Sequence, residues 1–159
     1  MKITIICVGK VKESFYRESI EEFIKRLSRY CNLSIIEVSD EHTPDGLSQV
    51  EEELLLKKEG ERIQKHCKEE AYKMVLTIDG QQCDSVGFAT HLKQLGTYGT
   101  SHIQFIIGGS LGLWKEIIEQ ADEQLSFSKM TFPHQLMRVI LLEQIYRGFR
   151  IMKNEPYHK

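Results

Sequence analysis

Along the chain, hydrophobic positions alternate between short continuous runs and the spacing of an amphipathic helix. Residues 2–8 (KITIICV) form a β-branched run that ends at Gly9, which predicts a buried strand. From 13 to about 30 the spacing becomes helical, with Phe15, Ile20, Phe23, Ile24 and Leu27 separated by charged residues. A second strand is predicted at 33–38, followed by a loop whose composition (DEHTPDG) spans 40–46. Ser48 and Glu51 have the spacing of a capping box and start a charged helix that runs to about Cys67. A third strand at 72–78 closes at Asp79-Gly80, and a third helix at 85–95 is capped by Asp84 or Ser85 and leaves through Gly96 to Gly99. A fourth strand at 102–107 runs into Gly108-Gly109-Ser110-Leu111-Gly112. A short helix at 113–120, a short strand at 124–127 and a loop at 128–132 come next. Pro133 takes the first position of a last helix that reaches about Asn154.

Strand and helix alternate throughout, so the expected fold is α/β, a mostly parallel sheet with helices on both faces. The 159 residues make one domain, 1–159, with no repeat and no linker. No apolar run is long enough for a membrane span, and the six-residue run near the start is too short for a signal peptide, so a cytoplasmic location is expected. Cys7, Cys31, Cys67 and Cys83 form no CxxC pair and the six histidines no short ligand pair; reduced thiols and no metal are expected. The net charge is only −2, but it is unevenly spread. Residues 1–30 carry +3 and 129–159 carry +4, while 37–70 carry −6. This arrangement is either a solvated acidic helix among ordinary lysines or a basic face built from both chain ends.

In open parallel sheets, ligands sit beyond the carboxyl ends of the strands. Three segments fall there: Thr77 to Gly80, Gly108 to Gly112, and Ser126 to Phe132. The first strand is followed by Gly9-Lys10-Val11-Lys12, with neither GxGxxG nor a phosphate-loop signature. The glycine turn reads equally as a ligand cradle and as a tight strand-to-helix turn. The hydroxyl-rich segment before the last helix offers donors to a polar ligand, or is a simple connection; His134 reads as a capping or surface histidine. The last helix is apolar around most of its circumference, with one polar stripe of Glu143, Arg147, Arg150 and Asn154. The sheet covers one side, so the other predicts a homodimer packed through this helix. Tyr157, His158 and Lys159 place an aromatic ring, a titratable imidazole and a cation at the very end.

The turn GGSLG, the run LSFSKMTFPHQLMRVILLEQIYR and the terminal PYHK together resemble the small SPOUT-class methyltransferases of large-subunit ribosomal RNA, the ribosomal RNA large subunit methyltransferase H family. The resemblance covers essentially the whole chain. It implies a C-terminal trefoil knot, a dimer, and S-adenosylmethionine bound in the knot by Leu76, Gly108, Phe127, Ser128, Lys129, Met130, Thr131 and Phe132. It also implies methylation of N3 of a pseudouridine in 23S rRNA on assembled ribosomes. For that chemistry we assign His158 to proton removal, Arg147 to the developing anion or a phosphate, and Tyr157 to orienting the base. Two other readings fit the residues: another RNA acceptor such as tRNA, and a non-catalytic α/β dimer whose glycine turn holds a nucleotide phosphate.

Overall fold

The computed structural model describes residues 1–159. Five strands, β1 (Lys2–Val8), β2 (Asn32–Val38), β3 (Tyr72–Gln81), β4 (His102–Ile107) and β5 (Glu123–Leu125), alternate with α1 (Ser14–Leu27), α2 (Gln49–Gln64), α3 (Ser85–Thr97), α4 (Lys115–Glu119) and α5 (His134–Met152). The sheet has the order β2-β1-β4-β3-β5, and every pairing is parallel. The α/β expectation holds, with helices on both faces. No helix is long and apolar enough to cross a membrane.

Strand periodicity divides the core. Ile3, Ile5 and Cys7 of β1, with Ile103, Phe105 and Ile107 of β4, point to one side, where Leu27 of α1, Leu92 of α3 and Leu141, Leu142 and Ile145 of α5 cover them. Ile6 and Val8, with Ile106, point to the other side and meet Ile63 of α2 and Ile117 of α4. Both strands are therefore buried on both faces, apolar towards the larger core and interrupted on the other side by Thr4, His102 and Gln104. Inside the larger core, burial pushes the Cys7 thiol up to about 12, so it packs as an apolar group.

Helix ends follow local chemistry. The Ser48 side chain accepts from the Glu51 backbone N–H at 3.3 Å while Glu51 accepts from the Ser48 N–H at 2.8 Å, completing the capping box. Asp84, not Ser85, caps α3, accepting from Gly87 N–H at 2.6 Å. Pro133 sits at the N-cap of α5, one residue before the expected first helical position. Both α1 and α2 stop three residues short of the expected ends, and β5 is shifted back to Glu123–Leu125.

The larger departure is in β3, which does not close at Asp79-Gly80. Leu125 pairs with Leu76 and again with Gln81, and the Ser126 N–H donates to the Gln81 carbonyl at 3.0 Å. Residues 77–80 bulge between these two pairings, so tertiary hydrogen bonds override the turn composition. Gly80 makes this possible: a Cβ there lies 2.7 to 2.8 Å from the backbone of Gln124 and Leu125. Gly80→Ala is expected to lower stability by about 1–3 kcal/mol through overpacking and to loosen β5 from β3. Thermal melts check the first effect and amide exchange at Leu125 and Ser126 the second; wild-type values for both contradict it.

Candidate functional site

The carboxyl ends of β3, β4 and β5 and the start of α5 enclose a cleft of about 450 Å³. Leu76 to Asp79, Gly108 to Leu113, and Phe127, Ser128 and Met130 to Phe132 line it. The three loops picked out in the sequence thus converge on one site. Of the eight residues assigned to the methyl donor, seven line the cleft; the exception is Lys129, which is exposed and outside the lining. The mostly apolar walls, interrupted by a few hydroxyl and backbone groups, and the volume suit a nucleoside-sized ligand such as S-adenosylmethionine.

Each wall is fixed by its own chemistry. The glycine turn closes on itself, with Gly112 N–H donating to the Gly109 carbonyl at 3.1 Å. A Cβ on Gly108 falls 2.3 Å from the Gly112 oxygen, so only glycine permits the turn. Behind it, Glu59 of α2 is buried, accepts from Glu41 N–H at 3.0 Å, and has its carboxyl pushed up by burial. On the opposite wall, Ser126 Oγ donates to the Ser128 carbonyl at 3.1 Å and Ser128 Oγ accepts from Met130 N–H at 3.0 Å, holding 126–130 as a tight turn. His134 faces the cleft, contrary to the surface role expected for it. Burial, then the nearby charge of Arg138, lowers its pKa and favours the neutral imidazole.

The last five residues fold back along α5. Asn154 adopts φ 54° and reverses the chain. Arg150 donates to the Pro156 carbonyl at 2.8 Å and pairs with Glu155 at 2.7 Å, while the Tyr30 hydroxyl also donates to Glu155. The return brings Arg147, Tyr157 and His158 together. The Arg147 guanidinium lies 4.7 Å from the centre of the Tyr157 ring and its Nη1 is 3.3 Å from His158 Nδ1. Arginine has no acceptor, so Nδ1 accepts and the imidazole proton resides on Nε2. Glu143, unassigned from the sequence, joins the group: it pairs with Arg147 at 2.6 Å and accepts from the Tyr157 hydroxyl at 3.1 Å. Burial, then the hydrogen bond to Glu143, raises the Tyr157 pKa, so the phenol stays protonated. The Glu143–Arg147 spacing of four on the polar stripe was the available signal.

The cleft and the tail cluster are not brought together within one chain. Arg147 lies 13 residues beyond His134 on the same helix, roughly 20 Å along its axis at about 1.5 Å per residue. None of the three tail residues lines the cleft.

Fold and cleft define an α/β protein with a nucleoside-sized cleft at the carboxyl edge of its parallel sheet. Sequence relatives make the class particular. Residues 1–158 match the family described as predicted SPOUT methyltransferase. Proteins named ribosomal RNA large subunit methyltransferase H are 58% identical in Bifidobacterium adolescentis, 56% in Clostridium kluyveri and 54% in Clostridium beijerinckii, each aligned over all 159 residues and 100% of both chains. The chain belongs to the SPOUT methyltransferase family, as the glycine turn and the tail had indicated.

Proposed function

We propose that this methyltransferase carries a methyl group from S-adenosylmethionine to N3 of a pseudouridine in 23S rRNA, acting in the cytoplasm on the assembled ribosome as a homodimer. The observation that carries the reading is the convergence of three strand-end loops on one cleft, in a chain that aligns end to end with proteins named for this rRNA class. The donor supplies a methyl group on a positively charged sulfur, and the chain supplies position and electrostatics. Leu76, Gly108 and residues 127–132 hold the donor, Lys129 from the rim through its backbone. Membership of the SPOUT family supports a trefoil-knotted path for the C-terminal segment.

Dimerisation through α5 is supported by its outward face. Leu136, Ile140 and Ile151 are half-buried but belong to neither core, and they share a helix face with Glu143 and Arg147. A partner packed there brings its own tail towards this chain's cleft, which joins the two halves that one chain keeps apart. The imide N3–H must be lost for the nitrogen to attack. His158 accepts that proton once Nδ1 leaves Arg147, and the freed guanidinium then faces the developing anion while Glu143 fixes its orientation. Tyr157 orients the base through its ring.

With wild-type-like donor binding, His158→Ala is expected to slow methyl transfer by roughly 10²–10⁴-fold. Labelled-methyl transfer to ribosomes lacking the modification measures this, and full turnover in the variant removes His158 as base. Because the chain carries a net charge of only −2, shape must supply much of the affinity. Activity on intact ribosomes with little on free 23S rRNA or tRNA is expected; equal rates on free RNA contradict the assembled-ribosome reading, and methylation of tRNA alone replaces it.

A further inference from the structure

Only two of the side chains lining the cleft are titratable: Asp79, exposed on the β3 bulge, and His134, half-buried at the start of α5. The remaining walls are apolar, hydroxyl-bearing or glycine. Three charged groups face His134 from the elements packed around it. Arg138 lies one turn further along α5 and is 1% exposed, Asp40 lies in the loop after β2, and Glu13 is the N-cap of α1. Burial disfavours the charged imidazole, and a second positive charge beside the Arg138 guanidinium is disfavoured in the same direction, together outweighing the two carboxylates. At neutral pH the cleft therefore presents one carboxylate and one uncharged imidazole.

The consequence rests on the methyl-donor reading above. S-adenosylmethionine carries an ammonium, a carboxylate and a sulfonium, for a net charge of +1. After transfer the bonding pair of the broken sulfur–methyl bond stays on sulfur, and S-adenosylhomocysteine is net neutral. Donor and product differ in the cleft by one methyl group and one positive charge. We propose that Asp79 is a specificity-determining residue, which makes the cleft prefer the cationic donor over its neutral product and so favours product release after each transfer, and that His134 makes this preference depend on pH. A focused negative potential attracts the donor, and a protonated His134 cancels it.

Titration calorimetry of the intact protein with S-adenosylmethionine and with S-adenosylhomocysteine, between pH 8 and pH 5.5, tests this. The donor preference, the ratio of the two Kd values, is expected to fall on acidification as His134 gains its proton. Asp79→Asn is expected to reduce the preference at pH 8 by roughly two- to fivefold, a modest effect because an exposed carboxylate is screened by water. His134→Asn is expected to keep the preference at pH 8 and to flatten its pH dependence. A ratio unchanged in Asp79→Asn overturns the role of the carboxylate, and a pH response that survives in His134→Asn overturns that of the imidazole. If neither ligand binds at pH 8, the methyl-donor reading falls and this inference falls with it.

Discussion

Arg138→Met is expected to lower stability by about 2–4 kcal/mol, the largest loss from any single side chain outside the apolar core. The Arg138 side chain is enclosed, 1% exposed, against the ends of β1 and β2. Its Nη1 donates to Glu37 at 2.7 Å, and its Nη2 donates to the Val8 carbonyl at 2.9 Å and the Gly9 carbonyl at 2.7 Å. One guanidinium thus fastens α5 to the ends of β1 and β2. Methionine fills similar space but leaves those acceptors without their donors. The Glu37 side chain is 37% exposed and regains water, which keeps the loss below that of a fully enclosed pair. At about 2–4 °C per kcal/mol for a chain of this size, the melting temperature falls by roughly 4–16 °C. Glu37→Gln is expected to cost less, since an amide oxygen still accepts from Arg138. A melting temperature within a degree or two of wild type would show that water replaces the guanidinium at no cost.

That anchor also marks where sequence reading ends. A β-branched run gave β1, helical spacing gave α1 and a Ser–Glu capping box gave α2, because those signals are local. That the sheet is parallel followed from alternation, whereas the strand order β2-β1-β4-β3-β5 did not. Arg138 carried no such signal: an arginine on a helix is by default a solvent group, and only the carbonyls at the end of β1, about 130 residues away, make it a core residue. The extension of β3 was hidden for the same reason. Asp79-Gly80 is a turn by composition, and it becomes strand because Leu125 and Ser126 pair with Gln81. Most of the cleft was legible, since strand-end loops in a parallel sheet converge whatever their sequence. The neutral state of His134 was not legible, because it depends first on the burial of its own imidazole in the folded chain and then on Arg138 beside it. In the tail, residue types pointed to chemistry, but the reversal at Asn154 that gathers them on Glu143 and Arg147 is a property of the folded chain.

The separation of cleft and tail along α5 leads to the second large effect. Thr131→Arg is expected to fill the cleft from its exposed rim without disturbing the core and to weaken donor binding by roughly a hundredfold or more, so that the site stays empty at donor concentrations near the wild-type Kd. A chain with Arg147→Ala and His158→Ala keeps its cleft and loses its tail chemistry. Each variant alone is expected to form an inactive homodimer. A purified heterodimer of the two, isolated through different affinity tags, separates the possible layouts. If each site joins one chain's cleft to the other chain's tail, the heterodimer holds one site with both halves intact and one with both halves broken. Its activity on ribosomes is then about half that of wild type, from two proteins that are each inactive. If cleft and tail of the same chain work together, every site has one broken half and the heterodimer is inactive. Calorimetry on the same heterodimer is expected to show one donor bound per dimer under either layout, so recovered activity, not recovered binding, carries the decision. A composite site would account for the separation of cleft and tail cluster along α5: the outward face with Leu136, Ile140 and Ile151 would then both hold the partner and bring the partner's Arg147, Tyr157 and His158 to the cleft.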